Sequence, residues 1–347
     1  MKTKVRKTYN YLIRFLIIFA TYGFIYQQVF LRQNLNDIFQ FFYEQFSQSN
    51  YIWTIILLFI LTFLNWATES LKWNLLINKI EKISWIRSFQ AVLTGVAVSS
   101  FTPNRIGDYF GRVFILEKAN RIEGIFITIL GSMSQLLITF TLGSTAIYLM
   151  FLAYPETLMG FFNLPVYLFD YFLWGGAVLL IGINVLFILL FLNISLLSVM
   201  TSRLKGKLLK RVSSYIHVLS AYTLRELLLI LLLSFLRFMI FSLQMYILLR
   251  LFDIDIDFLP GMMVIAVTFF VMTMIPTIAI TELGIRGSVA LFLIGIYFGN
   301  PMEMPAEINL GIVAASSALW LINLAIPALT GTVFVFNLKF FRRSGNE

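Results

Sequence analysis

The sequence predicts an all-α polytopic membrane protein of six full spans plus two re-entrant helical hairpins, arranged as an inverted-topology repeat. Three observations carry that expectation. Of 347 residues, 59% are hydrophobic and only 12% charged, where an ordinary soluble domain carries about 25% charged residues. Charge-free runs extend from Phe15 to Leu31, Gln45 to Thr68, Gly124 to Pro155, Tyr171 to Ser202, Phe258 to Thr281 and Ile308 to Leu338, and a helix needs about 20 apolar residues to cross hydrocarbon. The charges that remain sort by sign between alternate connections.

The basic groups fall at Lys2, Lys4, Arg6 and Lys7; at Lys72, Lys79, Lys82 and Arg87; at Lys118 and Arg121; at Arg203 to Arg211; and at Lys339, Arg342 and Arg343. Read by the positive-inside rule, these are cytoplasmic flanks. The acidic connections, Asp37 and Glu44, Glu156 and Asp170, Asp253 to Asp257, and Glu303 and Glu307, face outward. The net charge of +9 is therefore a property of the membrane topology and implies no nucleic-acid partner. With no cysteine and a single histidine, His217, the chain lacks thiol and histidine-based metal chemistry, so no metal or cofactor is expected. The basic start followed by an apolar run has no small-residue cleavage site and reads as a retained first helix.

Threading the chain through these signs gives spans near Tyr9 to Phe30 and Tyr51 to Ser70. The next segment starts and ends among cytoplasmic charges, at Arg87 and Lys118. Its apolar arm, Ser88 to Phe101, offers 14 residues, roughly 21 Å of helix, too short to cross. A hairpin over 88–118 follows, with Pro103 stopping the inward arm and Gly107 permitting the reversal. Spans near Ile125 to Tyr154 and Phe172 to Leu197 come next. An interfacial helix over Ser213 to Arg225 and a span from Glu226 to Leu249 complete the return. From the acidic Asp253–Asp257 stretch to Glu303 both ends are external again, and the intervening segment breaks at Pro276 and resumes after Gly287. That is an outward-facing hairpin over 260–299. A last span, Leu310 to Asn337, brings the C-terminus to the cytoplasm beside the N-terminus. Residues 1–165 and 166–347 thus share the plan of two spans, hairpin, span. An odd number of crossings inverts the second copy, and broken helices at matching places in inverted halves point to a central site.

The candidate site residues are the charged groups at those breaks and in mid-span. They are Arg105, Asp108 and Arg112 in the first hairpin, Glu282 and Arg286 in the second, and Arg237 halfway along its span. Asn104 and Gly284 join Pro103, Gly107 and Pro276 at the hairpin tips. A charge at Arg237's depth requires a partner, for which Glu69 is a candidate, and a structural pair or a substrate contact would each satisfy it. Arg105, Asp108 and Arg112 either brace the hairpin or hold a ligand. Arginine presents a planar fork that matches phosphate, while Asp108 and Glu282 could orient arginines, receive a cation or carry protons. Gly and Ser between Gly131 and Ala146 suit close helix packing rather than a pore.

The stretch "TPNRIGDYFGR" resembles the P-G-R-x-G-E signature of the lysylphosphatidylglycerol synthase transmembrane region, the flippase-like family. The segment "LRFMIFSLQMYILLRLFDIDIDF", followed by "LGIR", resembles that family's second half. Asn104 stands where the family has glycine, and asparagine accepts left-handed backbone geometry. The second tip reads Thr281-Glu282-Leu283-Gly284-Ile285-Arg286-Gly287 against the family's G-G-L-G-x-R-E, so the acid precedes the arginine here. The resemblance implies a stand-alone membrane domain without the synthase part, resident in a bacterial cytoplasmic membrane. It implies a non-enzymatic translocase for an anionic or amphoteric lipid, with no nucleotide-binding motif to drive it. A lipid-binding scaffold for a partner enzyme and a membrane-embedded lipid-modifying transferase are the alternatives. The sequence leaves oligomeric state, lipid identity and coupling open.

Overall fold

A computed structural model describes residues 51–102, 105–162, 165–196, 213–275, 279–299 and 304–337, with residues 12, 15, 16 and 19 in a preceding helix. The described residues contain helices and connections and no strand. Long elements are α1 (Ile52–Ile77), α4 (Arg121–Ala153), α6 (Val166–Leu192) and α7 (Leu224–Leu251). A fifth, Ala306–Phe334, is built from α10 (Ala306–Trp320), a π-helical turn (Leu321–Ala325) and α11 (Ile326–Phe334). These five are long and apolar enough to span a membrane. Shorter helices are α2 (Trp85–Ser99), α3 (Gly107–Val113), α5 (Pro155–Phe162), α8 (Phe258–Met274) and α9 (Ala279–Tyr297).

Helix α1 shows how lipid inverts the usual pattern. Its exposed positions include Trp53, Phe59 and Phe63, whereas Thr62, Asn65, Glu69 and Lys72 lie on the buried stripe. Their spacing of three and four residues keeps them on one helix face, because polar side chains in hydrocarbon must turn toward protein partners. That stripe meets α7. Lys72 donates to Ser234, Arg237 donates to Asn65, and Gln244 donates to Thr62. The descending order of partners makes α1 and α7 an antiparallel pair. Two apolar cores flank their polar contact, one around Trp73, Leu76, Leu130 and Leu227 and the other around Leu58, Met150, Met245 and Leu319.

Helices α2 and α3 form the first hairpin, antiparallel, with Gly95 facing Gly111 and Val98 facing Gly107. The expected reversal at Gly107 is realised differently. The left-handed residue at the described part of the tip is Arg105, at φ 56°, while Gly107 has no such φ and serves close approach: a Cβ there would collide with the Val98 carbonyl. Pro103 and Asn104 lie outside the described residues. On its other face α2 receives α11, where a Cβ on Gly331 would strike the Leu93 carbonyl. The second hairpin, α8 and α9, docks on α4 in the same manner, with Gly143 against the Phe270 side chain. Gly131, also on α4, closes on Leu76 of α1.

Both ends of the first hairpin lie at one end of the bundle. Glu81, in the α1–α2 connection, accepts from the amides of Glu117, Lys118 and Ala119 at 3.0, 2.7 and 2.7 Å. Lys79 pairs with Glu226 at 2.7 Å and brings the start of α7 to the same end. Partial burial opposes ionisation of Glu81, but the three amide donors, with the nearby Arg87, hold its carboxyl below the ordinary range. A depressed value adds stability above about pH 4.3, the unfolded value, and loses it as pH falls through the folded value. Glu81→Ala is expected to cost about 1–2 kcal/mol at neutral pH, read as a lowered thermal midpoint in detergent. That deficit should shrink below pH 4.

Two sequence expectations change. Residues 213–225 do not form one interfacial helix: a single α turn and a 3-10 segment (His217–Ala221) precede α7, which begins at Leu224. The cause is a capping box in which Thr223 accepts from the Glu226 amide and Glu226 accepts from the Thr223 amide, satisfying two orphan donors at that point. The second hairpin resumes at Ala279, ahead of Gly287. Gly287 sits inside α9 with only Val313 near its missing Cβ, at 3.9 Å.

Candidate functional site

Five charged side chains meet where α1, α7 and the first hairpin converge. Glu69 is the hub, 4% exposed. Its Oε1 lies 2.7 Å from Arg112 Nη1, and its Oε2 lies 2.9 Å from Lys72 Nζ and 3.0 Å from Arg237 Nη1. The partner that Arg237 requires is thus Glu69. Arg112, 5% exposed, also donates from Nε and Nη2 to the two Asp108 oxygens at 2.7 and 2.6 Å. Asp108 and Arg112 are four residues apart on α3, one face of one helix. Gly95 makes room for this pair, since a Cβ there would collide with Asp108 Oδ1.

Polar amides extend the cluster across the bundle. Arg237 Nε donates to Asn65 Oδ1 at 3.1 Å, Asn65 donates to Asn323 at 3.0 Å, and Asn323 donates to Gln244 at 3.1 Å. Asn323 belongs to the π-helical turn. Pro327, just beyond it, lacks an N–H, and a widened turn accommodates the missing bond. Arg237 also lies over the Trp66 ring, 5.3 Å from its centroid.

Two cavities open beside this cluster. The larger, about 560 Å³, is lined by Trp66, Arg105, Arg237, the aromatic rings of Phe238, Phe241 and Phe269, residues 272–275 of the second hairpin, Arg286 and Asn323. The smaller, about 240 Å³, is lined by Glu69, Lys72, Arg105, Asp108, Arg112 and Arg237. Trp66, Arg105, Gln135, Thr139, Arg237, Thr273 and Leu324 belong to both, so the two share a wall.

Of the sequence-predicted residues, Arg105, Asp108, Arg112 and Arg237 are brought together at the smaller cavity, and Arg105, Arg237 and Arg286 at the larger. Arg286, 8% exposed, has its guanidinium 5.9 Å from the Phe241 centroid. Glu282 and Gly284 lie in α9 by backbone, and Pro276 lies outside the described residues. Lys72 is a correction. Its place beside Lys79, Lys82 and Arg87 suggests a solvated flank, yet it is 1% exposed and bound to Glu69. Asn65, Gln244 and Asn323 gave no sequence signal, because single amides in apolar runs have no local pattern and their partners are up to 258 residues away.

The fold and site define a polytopic helical membrane protein with a charged cavity enclosed between two helical hairpins. Residues 39–304 match the family described as the lysylphosphatidylglycerol synthase TM region. The chain belongs to that flippase-like membrane family. Comparison with curated proteins and with solved structures gives no match.

Proposed function

We propose that the chain is a lipid translocase that passes an anionic or amphoteric headgroup through the cavity while the acyl tails stay in hydrocarbon. The observation that carries this reading is the composition of the larger cavity. Three arginines, one from the first hairpin, one from a span and one from the second hairpin, share a chamber in which the amides and hydroxyls of Asn65, Gln135, Thr139, Thr273 and Asn323 alternate with aromatic and aliphatic side chains such as Phe238, Phe241, Phe269 and Leu319. Such walls are mixed in character. An amphiphile uses both kinds of surface, with guanidinium forks for the headgroup and rings for its glycerol and upper tails.

The inverted repeat belongs to the same proposal, and the packing supports it. Exchanging α1 with α7, the first hairpin with the second, and α4 with α10–α11 maps the main helix contacts onto one another. The first hairpin seats on α11 and the second on α4, each against a glycine. The second hairpin's ends lie with the acidic connection: Tyr154 and Tyr297 rings are 6.0 Å apart, and Gly311 abuts the Phe252 carbonyl. That is the opposite end from Glu81. Both hairpins are then re-entrant, from opposite faces, in a bundle of six spans with both termini cytoplasmic. Introduced cysteines test this in a chain that has none. Asp255→Cys and Met302→Cys are expected to label from outside with a membrane-impermeant maleimide, and Lys79→Cys and Lys207→Cys only after permeabilisation. Labelling of Asp255→Cys and Met302→Cys from opposite faces would make the second hairpin a pair of ordinary crossings and end the symmetric scheme.

The function is tested with purified protein in vesicles carrying a fluorescent phospholipid and an impermeant quencher. Quenching of lipid from both leaflets above the protein-free level is the expected result. A chemically altered lipid would establish a transferase instead, and bound lipid with neither outcome a scaffold.

A further inference from the structure

We infer, on the translocase reading of the same cavities, that both open to the bilayer through one window on α4, between the ends of the two hairpins. Its occupant is the acyl tails of the lipid whose headgroup lies inside. A single mouth at mid-membrane depth then serves both leaflets. Exposure, coverage and polarity each point there.

Among the described residues that line the two cavities, only Arg105, Leu136, Thr273 and Met274 are exposed. Every other described lining residue is buried or half-buried. Leu136 is 50% exposed and Met274 52%, yet each is also a cavity wall, so interior and surface meet at these side chains. Arg105 and Thr273 border both cavities, Leu136 the smaller and Met274 the larger. The four come from the end of the first hairpin, the middle of α4 and the deep end of α8. Leu136 stands near the midpoint of the 33-residue α4, and at that depth in a spanning helix the surroundings are hydrocarbon.

The coverage of α4 explains why the opening falls there. Gly124, Thr128, Ser132, Leu136, Thr139 and Gly143 follow one another in steps of three and four residues and share one helix face. Near the start of α4, Val113 and Leu116 of the first hairpin and its exit close on Gly124. Near its far end Ala266 and Phe270 of the second hairpin close on Gly143. Between these contacts, Ser132, Leu136 and Thr139 line the smaller cavity instead of meeting a helix. The stretch from 132 to 139 is roughly 10 Å of helix.

Polarity increases inward from this mouth. Ser132, Thr139 and Thr273 donate their hydroxyls to the carbonyls of Thr128, Gln135 and Phe270, at 3.2, 2.9 and 2.7 Å, each on its own helix. Hydroxyls satisfied in this way tolerate hydrocarbon beside them, and Leu136 and Met274 are apolar. Further in lie Glu69, Lys72, Arg112 and Arg286, each less than a tenth exposed. An amphiphile fits this gradient in one orientation, headgroup toward the buried charges and tails leaving past Leu136 and Met274. A soluble anion would have to cross hydrocarbon to reach the same entrance.

The full chain in vesicles provides the test, with Leu136→Cys as its one thiol. Labelled phosphatidylglycerol is placed in one leaflet at a time. A bulky methanethiosulfonate on Leu136→Cys is expected to slow crossing about tenfold or more in both directions, and dithiothreitol to restore it. Met133→Cys is the control: Met133 is 40% exposed at similar depth and lines neither cavity, so the same reagent should leave its crossing rate unchanged. A diazirine in the acyl chain of phosphatidylglycerol should crosslink to peptides holding Leu136 or Met274, and one on the headgroup to peptides holding Trp66 or Arg237. A block in one direction alone would overturn the shared mouth, since each leaflet would then have its own. Headgroup crosslinks at Leu136 without tail crosslinks would overturn the orientation. Undiminished crossing with the adduct in place sinks the window and leaves the translocase standing. Tail crosslinks at Leu136 in an unmodified chain that moves no lipid sink the translocase and leave the window.

Discussion

Glu69→Ala is expected to be the most damaging single substitution in the described structure, with a loss of about 3–5 kcal/mol and little monodisperse protein recovered from the membrane. The reason is the inequality of the cluster. Glu69 alone contacts Lys72, Arg112 and Arg237, and Lys72 has no other carboxylate within an ion-pair distance among the described residues. Removing the hub leaves Lys72, 1% exposed, with one hydroxyl partner, Ser234 at 3.3 Å. A charge so placed has no water to fall back on. The pair Glu69→Ala with Lys72→Met distinguishes this cause from lost packing. Deleting the stranded ammonium along with its carboxylate should recover a large share of the loss, whereas a cavity effect would make the double variant worse than the single one. Thermal midpoints by fluorescence-detected size exclusion give the answer.

The same cluster shows what a sequence can disclose about a membrane site. Arg237 announced itself, because an arginine halfway along an apolar run has no snorkelling route and demands a carboxylate, and Glu69 stood at the edge of a charge-free run of comparable depth. The short apolar arm before Pro103 likewise disclosed a hairpin, since its length is fixed by helix geometry and the charges at its ends by topology. Lys72 was hidden for the opposite reason. It lies three residues beyond Glu69 in a chain that becomes basic at Lys79, and charge density cannot show that α1 continues to Ile77 before leaving the bundle. Gly287 misled in a similar way. Glycine is the expected residue at a chain break, yet α9 runs through it. Trp66 was unreadable, because a tryptophan in an apolar run is ordinary and only the fold reveals that its N–H is buried without an acceptor among the described residues.

The motif Arg105 to Arg112 is expected to divide into two behaviours that the sequence alone treats as one. Both arginines there either brace the hairpin or hold a ligand, but their surroundings differ. Arg112 is 5% exposed and its guanidinium is spent on Asp108 and Glu69. Arg112→Ala should therefore be a folding variant, losing about 3–5 kcal/mol because Asp108 is left without its cation, while Glu69 keeps Lys72 and Arg237. Arg112→Lys should recover only part of that, since one ammonium cannot reproduce a fork gripping two acids. Arg105 is exposed and lines both cavities. Arg105→Ala should leave the thermal midpoint near wild type and slow lipid movement about tenfold or more, the loss of one charge-assisted contact to phosphate. Its backbone supplies a further control. At φ 56° a non-glycine residue is strained by about 1 kcal/mol, so Arg105→Gly should be more stable than Arg105→Ala while transporting equally slowly. Should Arg105→Gly transport at the wild-type rate, the contribution of residue 105 would be the turn and not the guanidinium. Should Arg112→Ala fold normally and transport poorly, the Glu69 cluster would be a ligand site rather than the brace between α1, α7 and the first hairpin.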